Sequence, residues 1–219
     1  MYTIFQTGNL LFTAGKPVLA IIIGAGLLCW FVYKPLLIAP IAFFLFSLYF
    51  FRNPVRTADM HQTDELVSPA DGKIIDIDYN NQLHEGLPVK LSIFLSPVDV
   101  HVNWMPCDAT ITHVQHFPGK YIVAYAPKSS EINERLDLDI RRSSDNRRLV
   151  VRQVAGFIAR RIICWAQPGD ILSENTKYGM IRFGSRVDIF LPQDSTILMK
   201  LNDRVIGGQD IIARMPLQS

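Results

Sequence analysis

Gly184-Ser185-Arg186-Val187-Asp188-Ile189-Phe190-Leu191 places Val187, Ile189 and Leu191 at every second position, the period of a strand with one face toward a core. The same spacing returns along most of the chain. Lys73–Asp78, Val89–Leu95, Ala109–Val114, Leu149–Val154, Arg161–Trp165 and Thr196–Leu201 are short, rich in Val and Ile, and bounded by Gly, Pro, Asp or Asn. From Asn53 onward the chain therefore reads as a mainly β (α+β) domain of antiparallel strands, sheet-like or barrel-like, with few helices. Glu131–Asp145 is polar and charged and reads as a surface loop with at most one helical turn. Phe157–Arg160 leaves strand and helix both open. There is no internal repeat and no low-complexity segment.

Upstream the pattern changes. Pro17–Tyr33 and Pro35–Phe51 are two uncharged apolar runs separated at Lys34-Pro35. Each falls somewhat short of the roughly 20 residues of a spanning helix, and together they predict a helical hairpin over residues 1–52 that holds the protein on a membrane, by spanning it or by entering one leaflet. A cleaved signal would need a short apolar core and a small-residue cleavage site, whereas this stretch runs on to Phe50-Phe51-Arg52. Lys16 before the hairpin and Arg52 and Arg56 after it favour the cytoplasmic face of the inner membrane for residues 53–219.

Composition narrows the choice of partner. Of 219 residues 49% are hydrophobic, and the formal net charge of +2 is too small to imply nucleic acid. Cys29, Cys107 and Cys164 are too widely spaced for a disulfide framework or a zinc knuckle. His113 and His116 face opposite ways on a strand and have no carboxylate or thiol set at ligand spacing, so no metal is expected.

Gly184-Ser185 lies between two strand-like runs. The plain reading of such a pair is a turn or bulge. The chemical reading is self-cleavage: the Ser185 hydroxyl attacks the Gly184 carbonyl, the amide becomes an ester, elimination breaks the chain, and hydrolysis leaves a pyruvoyl group at residue 185. A ketone of this kind forms a Schiff base with an amine and acts as an electron sink, which none of the twenty side chains can do. Three further motifs accompany it: Val67-Ser-Pro-Ala-Asp-Gly-Lys73, Phe94-Leu-Ser-Pro-Val-Asp-Val-His-Val-Asn-Trp-Met-Pro106, and Val154-Ala-Gly-Phe-Ile-Ala-Arg-Arg161. In the second, Asp99 and His101 share a face if the backbone is extended.

With Phe51-Arg-Asn-Pro-Val-Arg56 and Gly207-Gly208, these motifs in this order resemble the phosphatidylserine decarboxylase proenzymes of the short bacterial and archaeal type, over nearly the whole chain. The resemblance implies cleavage between Gly184 and Ser185 into a β chain (1–184) and an α chain (185–219) that stay associated, with a pyruvoyl group derived from Ser185 as the covalent cofactor. It implies conversion of phosphatidylserine to phosphatidylethanolamine and carbon dioxide in phospholipid biosynthesis. Asp71 and His101 correspond to the aspartate and histidine that activate the serine, a hydrolase-like arrangement. Longer relatives carry a second histidine where this chain has Trp104, so either His101 serves both cleavage and decarboxylation or another group is the base. Asp99 reads as a turn residue that orients its neighbours. The lipid phosphate calls for cations, with Lys120, Arg160, Arg161, Arg182 and Arg186 as candidates, and Arg141–Arg148 is a basic cluster suited to anionic headgroups. A homo-oligomer is compatible with all of this. Two other readings stay open: a pyruvoyl decarboxylase of a free amino acid, against which the apolar hairpin argues, and a membrane-tethered β module of the biotinyl-lipoyl kind, against which the lack of a lysine in a matching hairpin motif argues.

Overall fold

The computed structural model describes residues 8–57, 62–126, 128–156, 162–182 and 184–218. It divides into two compact units, Met1–Val55 and Arg56–Ser219.

The first unit is a helix pair. Helix α1 (Lys16–Val32) begins with Pro17 in its first turn, where the missing N–H costs nothing, and α2 (Ile38–Phe50) follows a single 3-10 turn over Lys34–Leu37. Asn9 ties the ends of the unit together, accepting from the Leu11 N–H at 2.9 Å and donating to the Leu48 carbonyl at 2.7 Å. Most apolar side chains of both helices face outward; Phe31 is 82% exposed. Among the described residues no helix is long and apolar enough to cross a membrane.

The described residues of the second unit form fourteen strands: β1 (Glu65–Val67), β2 (Gly72–Asp78), β3 (Val89–Leu95), β4 (Val102–Trp104), β5 (Ala109–Phe117), β6 (Arg135–Arg142), β7 (Arg148–Val154), β8 (Ile162–Cys164), β9 (Ile171–Leu172), β10 (Lys177–Ile181), β11 (Ser185–Leu191), β12 (Thr196–Ile197), β13 (Arg204–Val205) and β14 (Ile211–Arg214). One helical turn, α3 (Ser129–Ile132), precedes β6. The strands form an eight-stranded sheet in the order β13-β2-β3-β11-β7-β6-β5-β9 and two three-stranded sheets, β1-β14-β12 and β4-β10-β8, and every strand pair is antiparallel. The fold is mainly β, as the alternation predicts. It is not barrel-like: the two-residue edge strands β13 and β9 do not pair with each other, and the sheet stays open.

Two differences from the sequence reading have the same physical origin. Residues 131–145 are not a surface loop but contain β6, whose Leu136, Leu138 and Ile140 are buried. Its charged residues meet partners on β7: Arg152 grips Asp137 at 2.6 and 2.8 Å, and Arg148 grips Asp139 at 2.6 and 2.8 Å. Strand β11 is buried on both faces. On its second face Arg186 bonds Asp188 at 2.5 Å and the Ser92 hydroxyl at 2.7 Å, while Ser130 of α3 donates to Asp188. Burial pushes the Asp188 carboxyl up, but Arg186 and the Ser130 and Ser92 hydroxyls outweigh it and hold the group below its ordinary value.

The basic cluster is also largely neutralised. Arg147 pairs with Asp194, and Arg142, 2% exposed, forks onto Asp145 at 2.9 and 2.5 Å while donating to the Met215 and Pro216 carbonyls at 2.6 and 3.0 Å. The cluster is therefore not a free cationic patch; it pins the C-terminal segment. The hydrogen bonds from Arg142 hold the Asp145 carboxyl at about 2, against an ordinary 3.8. The stabilisation is complete above the unfolded value near 3.8 and is lost as pH falls toward 2. Asp145→Asn should destabilise the protein by roughly 2 kcal/mol at neutral pH. The gap between the two unfolding midpoints should close on acidification through that window, which unfolding curves across pH will read.

Candidate active site

The bond between Gly184 and Ser185 sits where the chain leaves one sheet and enters another. Strand β10 ends at Ile181, and β11 begins at Ser185. Across β11, Ser185 pairs with Leu95 of β3, and Arg186 pairs with Phe94 of β3 and Val154 of β7. Continuing that register past the end of β7 sets Gly156 opposite Gly184. The fit there is close: a Cβ on Gly156 would lie 2.0 Å from the Gly184 carbonyl oxygen. Gly184 itself has φ +68°, a conformation natural to glycine and strained for other residues. The pair of glycines leaves the carbonyl of residue 184 uncovered by any side chain at either position.

Ser185 is fully buried, and its Oγ has no hydrogen-bond partner among the described residues. A buried hydroxyl left unpaired costs about 1–3 kcal/mol, so its persistence beside a distinctive glycine pair points to function.

His101 approaches the same bond from the three-stranded sheet. Its carbonyl accepts from the Ile181 N–H at 3.1 Å, which fastens it to the end of β10. Its Nδ1 lies 3.0 Å from the Asp99 carbonyl oxygen, which can only accept, so Nδ1 carries the hydrogen. Nε2 then keeps its lone pair and accepts the Gly184 N–H at 3.3 Å. The imidazole thus turns its basic nitrogen toward the Gly184-Ser185 linkage. The Asp99 carbonyl is aimed by a turn: the Asp99 N–H donates to the Ser96 carbonyl at 2.9 Å, and its carboxylate accepts from the Ser96 N–H and hydroxyl at 2.8 and 2.7 Å and from Arg204.

Asp71 lies in the Asp-Gly turn before β2 but is not joined to His101. Its carboxylate takes a two-pronged ion pair from Arg56 at 2.5 and 2.8 Å and the Gly207 N–H at 2.8 Å. Arg56 in turn lies over the ring of Trp104, 4.2 Å from its centroid. Asp71, His101 and Ser185 therefore do not form one hydrogen-bonded chain in this state. Of the cationic candidates, Lys120 is exposed, Arg182 is half-buried just before the bond, and Arg186 is buried on Asp188 and Ser92. Arg160 and Arg161, and the segment 157–160 whose type was open, lie outside the described residues.

The sequence reading missed Gln153 and Asn103. Gln153 pairs with Val187, two residues from Ser185 on the same face of the sheet, within the diagonal reach of a long side chain. Its Nε2 donates to Asn103 Oδ1 at 2.8 Å, and its Oε1 is buried with no partner among the described residues. Asn103 lies two residues beyond His101. The available signal was polarity at an inward position, Gln153 following Leu149 and Val151 on the buried face of β7. Among the described residues no group of three or more His, Cys, Asp or Glu side chains is arranged to hold a metal.

The family model for phosphatidylserine decarboxylase matches residues 43–213. The chain belongs to that family. The phosphatidylserine decarboxylase proenzyme of Porphyromonas gingivalis is 41% identical over 198 residues, 89% of this chain and 87% of the relative. That of Chlorobium chlorochromatii is 44% identical over 177 residues, 80% of this chain and 81% of the relative. That of Ehrlichia chaffeensis is 43% identical over 172 residues, 77% and 75% of the two chains. The protein is accordingly an enzyme of a decarboxylase family, and Gly156, Gly184, Ser185 and His101 all fall inside the matched segment.

Proposed function

We propose that this chain is a self-processing phosphatidylserine decarboxylase that cuts itself between Gly184 and Ser185 and works with a pyruvoyl group made from Ser185. The observation that carries the reading is the unpartnered, buried Ser185 hydroxyl beside a carbonyl kept clear by Gly156, with His101 Nε2 facing the same linkage. These residues fit such a group: it would occupy the head of β11, where the serine now stands, in a pocket without side chains at 156 and 184.

In cleavage, rotation of Ser185 brings its Oγ to the Gly184 carbonyl carbon while His101 Nε2 takes the hydroxyl proton. The new C–O bond forms, the C–N bond breaks, and an ester with a free amine at residue 185 results. Loss of the Ser185 α-proton expels the Gly184 carboxylate. Water then enters and ammonia leaves, and the ketone remains. Such a ketone, once formed at residue 185, would supply the electron sink that decarboxylation of an amine substrate needs. His101 is positioned to return a proton to the substrate carbon, and Gln153 Oε1 is an acceptor for the substrate N–H. Lys120, which is exposed, and Arg182, just before the bond, are described cations suited to the headgroup phosphate.

The apolar hairpin supports a place on the membrane. A helix the length of α1 covers about 26 Å at 1.5 Å per residue, less than the roughly 30 Å hydrocarbon core, so the pair enters one leaflet, with residues 56–219 on the cytoplasmic side by the charges at Lys16, Arg52 and Arg56. Mass spectrometry of the purified protein should find chains 1–184 and 185–219, the second without a free amine at its head. Hydroxylamine should abolish turnover of phosphatidylserine by capturing the ketone. An intact chain with full activity would overturn the reading.

A further inference from the structure

Beside the Gly184-Ser185 bond runs a segment whose side chains point the wrong way for a protein surrounded only by water. Residues 121–126 are irregular in backbone but firmly held. The Asn133 side chain, fully buried, accepts from the Ile122 N–H at 3.0 Å and donates to the Ile122 and Ala155 carbonyls at 2.8 and 2.7 Å. The Ser129 hydroxyl donates to the Ala124 carbonyl at 2.8 Å. These bonds turn Ile122 and Ala124 inward. Tyr121, Val123 and Tyr125 consequently face out, 37%, 56% and 63% exposed. Alternation on a solvated surface normally sends polar residues outward. Here the outward row is aromatic and aliphatic, and Ile132 adds to it at 38% exposed.

The segment adjoins the site. Ala124 Cβ lies 3.2 Å from where a Cβ on Gly156 would be, the same glycine that faces the Gly184 carbonyl. The Tyr125 ring meets Phe94 edge-on with centroids 5.9 Å apart, and Phe94 pairs with Arg186. Lys120 and Lys128, both exposed, bracket the row. Of the carboxylates beside the row, Glu134 is engaged, accepting from Tyr121 at 2.6 Å and meeting His116 at 3.0 Å, and Glu131 is exposed on α3, where Arg135 donates to its backbone carbonyl at 2.7 Å. An outward apolar row with amphipathic tyrosines between two lysines matches the interface of an anionic phospholipid layer, with rings at headgroup depth and ammonium groups among phosphates.

We propose that Tyr121–Tyr125 is a second lipid-docking element, separate from the helical hairpin, that seats the mouth of the site on the bilayer. This rests on the reading of the substrate as a membrane phospholipid. Val123 is the position to test, because its side chain is exposed and takes no part in the bonds that hold the segment, to which only its backbone carbonyl contributes. Val123→Asp should process at Gly184-Ser185 as the parent does and should turn over a short-chain phosphatidylserine held below its micelle concentration at the parental rate. On vesicles containing phosphatidylserine its turnover should fall about tenfold, the effect of losing one interfacial apolar anchor and adding an anion. Val123→Trp should gain a blue-shifted emission over the parent when such vesicles are added, quenched by lipids brominated near the headgroup. Unchanged vesicle turnover by Val123→Asp, with no vesicle-dependent emission from Val123→Trp, would overturn the proposal. So would a change in oligomeric state of Val123→Asp with vesicle turnover intact, which would assign the row to a contact between copies. If the parent converts neither substrate while Val123→Trp still senses vesicles, the substrate reading fails and the docking element stands.

Discussion

Ser185→Ala will remain a single chain of 24.8 kDa with no decarboxylase activity, and it will be at least as stable as the uncut precursor. The first part follows from chemistry. Without Oγ there is no nucleophile for the Gly184 carbonyl, no ester to eliminate and no ketone, so the loss is of the whole catalytic apparatus and not of one contact. The second part follows from geometry. The Ser185 Oγ is buried with no hydrogen-bond partner among the described residues, so its removal breaks no bond and lifts a desolvation cost of about 1 kcal/mol. This prediction separates function from folding: a midpoint of unfolding equal to or above that of freshly made, still uncut precursor, together with an uncut chain, leaves misfolding no part in the loss. A Ser185→Ala protein that still splits after Gly184, or still releases carbon dioxide from phosphatidylserine, would end the proposal.

What could be read from the sequence depended on whether the determining contacts were local. Val187, Ile189 and Leu191 announced β11 because alternation is a property of the strand itself. Arg186 and Asp188 on the same strand are charged, yet both are buried, because each finds its counter-charge in the other and further partners in hydroxyls of β3 and α3. Strand β6 was missed for the same reason: Asp137 and Asp139 look like loop residues until Arg152 and Arg148 of β7 stand beside them. At the site, Gly184 and Ser185 were legible from the chemistry of the pair itself, the resemblance set His101 beside them, and the structure has His101 Nε2 accepting the Gly184 N–H. The resemblance also placed Asp71 with them, but the carboxylate is held here by Arg56 and Gly207, two partners distant in sequence. Gly156 was part of a quoted motif without a role, since its role is an approach to a carbonyl on a neighbouring strand.

That approach carries the other large effect. Gly156→Ala should slow self-cleavage about a hundredfold while leaving most of the β domain in place. The added methyl carbon would lie 2.0 Å from the Gly184 carbonyl oxygen and 3.1 Å from its carbon, both backbone atoms that cannot swing aside as a side-chain tip can. Gly156 is not in the left-handed region, so the substitution introduces a collision and no dihedral strain of its own. The collision is relieved by moving the carbonyl that Ser185 must attack. A displacement near 1 Å at a reacting centre costs on the order of 10²-fold in rate. The Ala124 Cβ is the other near neighbour, 3.2 Å from the same point, and it provides the control. If the carbonyl is what suffers, adding Ala124→Gly will not restore cleavage, because it removes only the contact at 3.2 Å and leaves the one at 2.0 Å with the Gly184 oxygen. If that second change does restore it, the obstruction is with the 121–126 segment, and the account of how residue 184 is kept open to attack is wrong. The readout is the fraction of uncut precursor against time after synthesis, by gel or intact mass, with the unfolding midpoint measured alongside.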